Sequence, residues 1–130
     1  LGGGIEAQIF ASLSRAAGIA VEELAVRTPP EPSWFDPRTA VVILQHDIDK
    51  ELPVLQAALA SPAFYIGCLG SRNTHRQRSE ALLARGWTPD DLARLRAPVG
   101  LFGPARDASS IAVSVLAEIV SLSQPPRNPE

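Results

Sequence analysis

The sequence predicts an α/β fold: a Rossmann-like three-layer domain, with a mostly parallel sheet covered by helices on both faces. Three observations predict it. Apolar runs of strand length alternate with amphipathic segments of helix length along one short chain. The runs TAVVILQHD and AFYIGCLG are apolar at successive positions, the pattern of strands buried on both faces of a parallel sheet. Glycine-rich or polar turns stand where strand passes into helix.

The opening LGGGIEAQIFASLSRAAGIAVEELAVR reads as a strand end at Leu1, a glycine turn, a helix and a second strand. Ile5, Ile9, Leu13 and Ala16 recur at helical spacing before Gly18 closes the helix. Most of the first strand is expected to be missing. Thr28 to Arg38 holds four prolines in eleven residues, and each fixes φ and removes a donor, so this segment is loop. TAVVILQHD then forms a strand, followed by a helix from Lys50 to about Ser61 with Leu52, Leu55, Ala58 and Leu59 on one side.

AFYIGCLG is the next strand, and NTHRQRSEALLARG a helix ended by Gly86. Thr88 caps a short helix, TPDDLARL, with Asp90 and Asp91 in the first turn, where the helix dipole favours negative charge. APVGL reads as a last short strand and DASSIAVSVLAEIVSLS as a final, largely apolar helix. One domain is expected over residues 1–123, with 124–130 a disordered tail.

With 12 basic and 14 acidic side chains, the chain has no overall pull on nucleic acid or an anionic membrane, so anion binding must be local. No apolar run approaches the roughly 20 residues of a membrane-spanning helix. The single cysteine, Cys68, excludes an internal disulfide and a multi-cysteine zinc site. A cytoplasmic location is the expectation.

Three turns carry candidate ligand-binding residues. Gly2, Gly3 and Gly4 with Ala7 fit G-x-G-x-x-[GA], whose glycines let backbone N–H groups approach a phosphate. The acid that would hold the ribose of NAD is missing near Ala25 and Val26, and Arg27 fits an extra phosphate better. His46 and Asp47 end a buried strand; His46 suits proton transfer near neutral pH, while Asp47 fits a ligand hydroxyl or a helix cap equally well. The third turn has Gly67 and Gly70 at the strand end, then Ser71, Arg72, Asn73, Thr74 and His75. It combines free N–H groups, a helix dipole and a guanidinium into a second anion cradle. Arg76 and Arg78 are read as solvated, and Cys68 as a small buried residue. A further turn, Pro98 to Arg106, offers Gly100, Gly103 and Arg106. No metal-ligand spacing and no nucleophile triad is legible.

The chained motifs HD (Asp47), Y-I-G-x-L-G-S-R, T-H, A-P-V-G-L and A-E-I-V resemble the C-terminal Rossmann domain of the xanthine dehydrogenase accessory factor family, the XdhC/CoxI type. The likeness is close from about Arg38 to Leu122 and looser over the glycine turn and first helix. It implies a maturation factor that binds the molybdenum cofactor, a pterin carrying a phosphate (molybdopterin). Such a factor assists the sulfuration of that cofactor and its insertion into an apo-enzyme such as xanthine or carbon monoxide dehydrogenase, without turning over a substrate itself. The positions it implies are Gly2, Gly4, His46, Asp47, Gly67, Gly70, Ser71, Arg72, Thr74 and His75. The implied partners are a molybdenum hydroxylase apo-enzyme and a cofactor sulfurase, with a homodimer through the apolar last helix also open. The chain departs from the family pattern at Ala25 and Val26, at Phe102, and in its short Thr28 to Arg38 loop. Two alternatives from other classes stand beside this reading: an NAD(P)-binding oxidoreductase-like domain, and a degenerate interaction module with no small ligand.

Overall fold

The computed structural model describes residues 2, 4–24, 30–44, 47–97 and 107–123. Its elements in chain order are helix α1 (Ile5–Ala16), strand β1 (Ala40–Ile43), helix α2 (Ile48–Leu59), strand β2 (Tyr65–Cys68), helix α3 (Arg72–Ala84), one-turn helix α4 (Pro89–Leu92), strand β3 (Leu95–Arg96) and helix α5 (Ala108–Ser123). A single 3₁₀ turn, Pro32–Trp34, lies in the proline-rich loop.

The three strands form one parallel sheet in the order β1-β2-β3. Ala40 pairs with Tyr65 and Ile43 with Cys68, while Ile66 and Gly67 pair with Leu95 and Arg96. Parallel neighbours need a crossover, and α2 and α3 supply the two crossovers here.

Strand residues alternate between two hydrophobic layers. Val41, Ile43, Ile66, Cys68 and Leu95 pack with Leu52, Leu55, Leu59 and Leu82 on the α2 and α3 side. Val42, Leu44 and Tyr65 pack with Val115, Ile119, Phe10 and Ile111 on the other side, where α1 lies against α5. Each large aliphatic side chain so buried contributes about 1.5–3 kcal/mol. The two layers are the covered faces expected from sequence. Tyr65 ties β2 to α5 as well, donating from its hydroxyl to Glu118 Oε1 at 2.6 Å.

Local chemistry sets the helix ends. The Ile19 N–H donates to Ser14 O and the Gly18 N–H to Arg15 O, a Schellman closure made possible by Gly18 at φ 82°. The same closure ends α3, with Trp87 N–H on Leu82 O and Gly86 at φ 92°. Thr88 and Asp91 form a capping box for α4.

The structure moves some boundaries. Residues 19–24 form no strand: Arg15 Nη2 donates to the Val21 carbonyl at 3.5 Å and pairs with Glu23 at 3.3 Å, so this stretch follows α1 instead of joining the sheet. Helix α2 starts at Ile48, earlier than the expected Lys50, because Asp47 caps it. Leu95–Arg96 form the third strand after the single turn of α4; of the expected strand APVGL only Ala97 is among the described residues, and it lies outside β3. Pro98 to Arg106, residues 25–29 and the expected tail 124–130 lie outside the described residues, as do Leu1, Gly3, Gln45 and His46.

Candidate functional site

The carboxyl edge of the parallel sheet gathers three turns. Leu44 leaves β1 beside the glycine turn: a Cβ added to Gly2 would lie 2.6 Å from the Leu44 carbonyl oxygen and 3.1 Å from Ala7 Cβ. Only glycine allows that approach. The Leu69 N–H donates to Ile43 O at 2.9 Å, which brings the end of β2 against the end of β1. Asp47 then opens α2, and Gly70 and Ser71 open α3.

The three helix starts differ in electrostatic character. Gly4 caps α1 with no side-chain bond, leaving its first-turn amides free of a side-chain acceptor. Asp47 accepts the Asp49 N–H at 3.1 Å and lies 3.9 Å from Lys50 Nζ, so the start of α2 already has its own carboxylates, Asp47 and Asp49, against its positive dipole end. Ser71 accepts the Thr74 N–H at 3.2 Å, with its hydroxyl 3.1 Å from Thr74 Oγ1. The first turn of α3 has no acid, and exposed Arg72 stands at its first position. Among the described residues no acceptor takes the Arg72 and Asn73 amides. Of the three helix starts, that of α3 has the most positive character, since the first turn of α1 carries Glu6 and that of α2 carries Asp49 and Glu51.

Gly70 shapes this turn. Its φ of 143° lies where L side chains are strained, and an added Cβ would stand 3.0 Å from Thr74 Cγ2. Gly67, by contrast, is buried within β2 between Val42 and Arg96, away from the turn.

Beneath the turn lies a feature that corrects the reading of Arg78 as solvated. Arg78 is 0% exposed and Glu51 1%. The guanidinium Nε donates to Glu51 Oε1, Nη2 donates to Glu51 Oε2 at 3.3 Å and to the Leu69 carbonyl at 3.0 Å, and Nη1 faces His75 Nδ1 at 3.4 Å. One side chain thus ties α2, the end of β2 and α3 together. Arg76 remains at the surface and donates to Asn73 Oδ1 at 2.6 Å.

Burial, reinforced by the Arg78 charge, holds the His75 imidazole below its usual value, so the ring is neutral near pH 7. Cys68 is fully buried in the layer beneath α2 and α3, and burial pushes its thiol up to about 12. It is a core residue with no thiolate character. The expected site residues Gly2, Gly4, Asp47, Gly70, Ser71, Arg72, Thr74 and His75 therefore share one edge of the sheet, while His46 lies outside the described residues.

Sequence reasoning missed the Glu51–Arg78 pair, although a signal was present. Glu51 precedes Leu55 by four positions and Arg78 precedes Leu82 by four, so opposite charges occupy the buried stripes of two adjacent helices.

Comparison with known proteins agrees with this architecture. Over 121 residues, or 93% of its length, the chain is 44% identical to the molybdenum cofactor insertion chaperone PaoD of Escherichia coli, covering 38% of that protein. It is 33% identical over 105 residues to the uncharacterized protein YqeB of the same organism, covering 81% of this chain and 17% of YqeB. The chain therefore spans well under half the length of the curated relatives it matches. The crystal structure of a xanthine dehydrogenase from Bacillus halodurans shares the fold, with a TM-score of 0.66 at 24% identity over 92% of this chain and 40% of that one. The family model for the XdhC Rossmann domain matches residues 1–119, and the chain belongs to that family.

Proposed function

We propose that this domain binds the molybdenum cofactor and delivers it to a molybdenum hydroxylase, such as a xanthine or carbon monoxide dehydrogenase, during maturation of that enzyme. The observation that carries the reading is the 44% identity, over nearly the whole chain, to a protein named as a molybdenum cofactor insertion chaperone. The donor set fits such a ligand. The amides of Arg72 and Asn73, the Arg72 guanidinium and the glycine turn suit the phosphate of the pterin. The acidic start of α2, with Asp47, suits the N–H donors of the pterin ring. A cofactor sulfurase and a second copy of the chain are further proposed partners. The latter would meet the exposed Val113, Val120 and Leu122 of α5. Among the described residues no helix is long and apolar enough to cross a membrane, and a cytoplasmic site of action accords with the proposed partners.

Gel filtration of the protein mixed with cofactor released from a donor molybdoenzyme tests the reading. Molybdenum and pterin fluorescence should travel with the protein; their elution at the small-molecule volume would refute it. NAD(P) is the second ligand to test, favoured by Gly2, Gly4 and Ala7. A nucleotide held at a hundred times its dissociation constant would stabilise the fold by about 2.7 kcal/mol.

A further inference from the structure

We propose that Glu51 and Arg78 are positioning residues that lock His75 as a neutral donor, with its proton on Nε2, at the ligand-facing edge of the sheet. This rests on the cofactor-binding reading for what the donor meets, and on geometry alone for the lock. A guanidinium has hydrogen-bond donors and no acceptor, so the ring nitrogen that faces Arg78 Nη1 at 3.4 Å must present a lone pair. That nitrogen is Nδ1, and a neutral imidazole with Nδ1 unprotonated carries its hydrogen on Nε2.

The arrangement holds because Arg78 cannot turn away. Both oxygens of Glu51 and the Leu69 carbonyl take its Nε and Nη2 N–H groups, and the pair is sealed from solvent. A protonated His75 would set an N–H against an N–H, beside a full positive charge. The same contacts exclude the imidazolium and the Nδ1–H tautomer together. His75 lies on the first turn of α3, one residue after Thr74, whose amide Ser71 caps. The turn then offers a neutral donor beside the Arg72 charge, suited to a carbonyl or phosphate oxygen of the bound ligand.

Long-range proton–nitrogen NMR on histidine-labelled full chain tests the lock without any ligand, with His46→Asn used to assign the two rings. Wild-type His75 should show an unprotonated Nδ1 and a protonated Nε2 at pH 7.5, as a single tautomer. Glu51→Gln/Arg78→Met removes both buried charges together and so keeps the fold; its His75 should become a mixture of tautomers with a raised titration midpoint. A wild-type Nδ1–H tautomer, or a double variant identical to wild type, would overturn the lock. Titration with molybdenum cofactor reads the consequence: loss of one oriented hydrogen bond should weaken binding about tenfold in the double variant. Equal affinity in both proteins would overturn the positioning role. Absence of binding in wild type would instead overturn the functional reading, with the NMR result still deciding the tautomer.

Discussion

Glu51 of α2 and Arg78 of α3 form an ion pair closed off from solvent, with Nε and Nη2 of the guanidinium on the two carboxylate oxygens. Burying two charges is expensive, and such a pair rarely increases net stability over a well-packed apolar one. Its value here is geometric, because Arg78 also holds the Leu69 carbonyl and His75 Nδ1 around the turn that opens α3.

Removing one partner is therefore far worse than removing both. Arg78→Ala leaves the Glu51 carboxylate buried without its guanidinium and should cost about 3–5 kcal/mol. Glu51→Gln/Arg78→Met should recover most of that loss. Urea unfolding of the three proteins measures the difference; equal losses in the single and double variants would show that the charges do not act as a pair.

Gly70→Ala should destabilise the domain by about 1–3 kcal/mol, since it places a side chain at φ 143° and against Thr74 Cγ2 at 3.0 Å. Gly86→Ala shares a positive φ but has open space around the new methyl, so its loss should be smaller. Thermal denaturation of the two variants ranks them.

Arg94 ties the far end of α2 to the sheet: Nη1 donates to Leu59 O at 2.8 Å, and Nη2 to Ser61 O and Ala63 O at 3.1 Å each. Arg94→Met should cost about 2 kcal/mol, the scale of hydrogen bonds made by a charged group. Arg94→Lys should recover only part of it, because an ammonium cannot span three carbonyls in one plane. Chemical denaturation midpoints at constant slope check the order.

The His75 imidazole is held below its usual value in the fold, so folding favours the neutral ring. The stability this contributes is whole above the unfolded value of about 6.5 and is lost as pH falls from there through the folded value. Wild type should accordingly lose stability relative to His75→Gln on going from pH 7.5 to below 6.5. Melting temperatures of both proteins across that range give the sign, and a gap that widens in favour of wild type would contradict it.

Much of this was legible in the sequence because local chemistry and global packing agree. The β-branched run at Val41 to Ile43 could be buried only between two layers, Gly18 and Gly86 end helices where a left-handed residue is needed, and Ser71 and Thr88 cap where their hydroxyls reach the next turn. The stretch 19–24 misled because an apolar run, Ile19 to Val21, follows a glycine-closed helix as a strand would, whereas Arg15 takes the Val21 carbonyl and the Glu23 carboxylate. Arg78 misled for a different reason. A lone arginine in a polar helix reads as solvated until its partner, 27 residues earlier, is placed on the facing helix.

Binding at the start of α3 is the central claim, and the affinity of the protein for molybdenum cofactor, compared with that of Arg72→Ala, tests it most directly. Arg72 is exposed at the first position of the helix, so its removal should leave the melting temperature unchanged. Saturable binding by wild type, weakened about tenfold in Arg72→Ala by loss of a charge-assisted contact, is the predicted result. Saturable binding of the same strength in both proteins, or none in either, would contradict it.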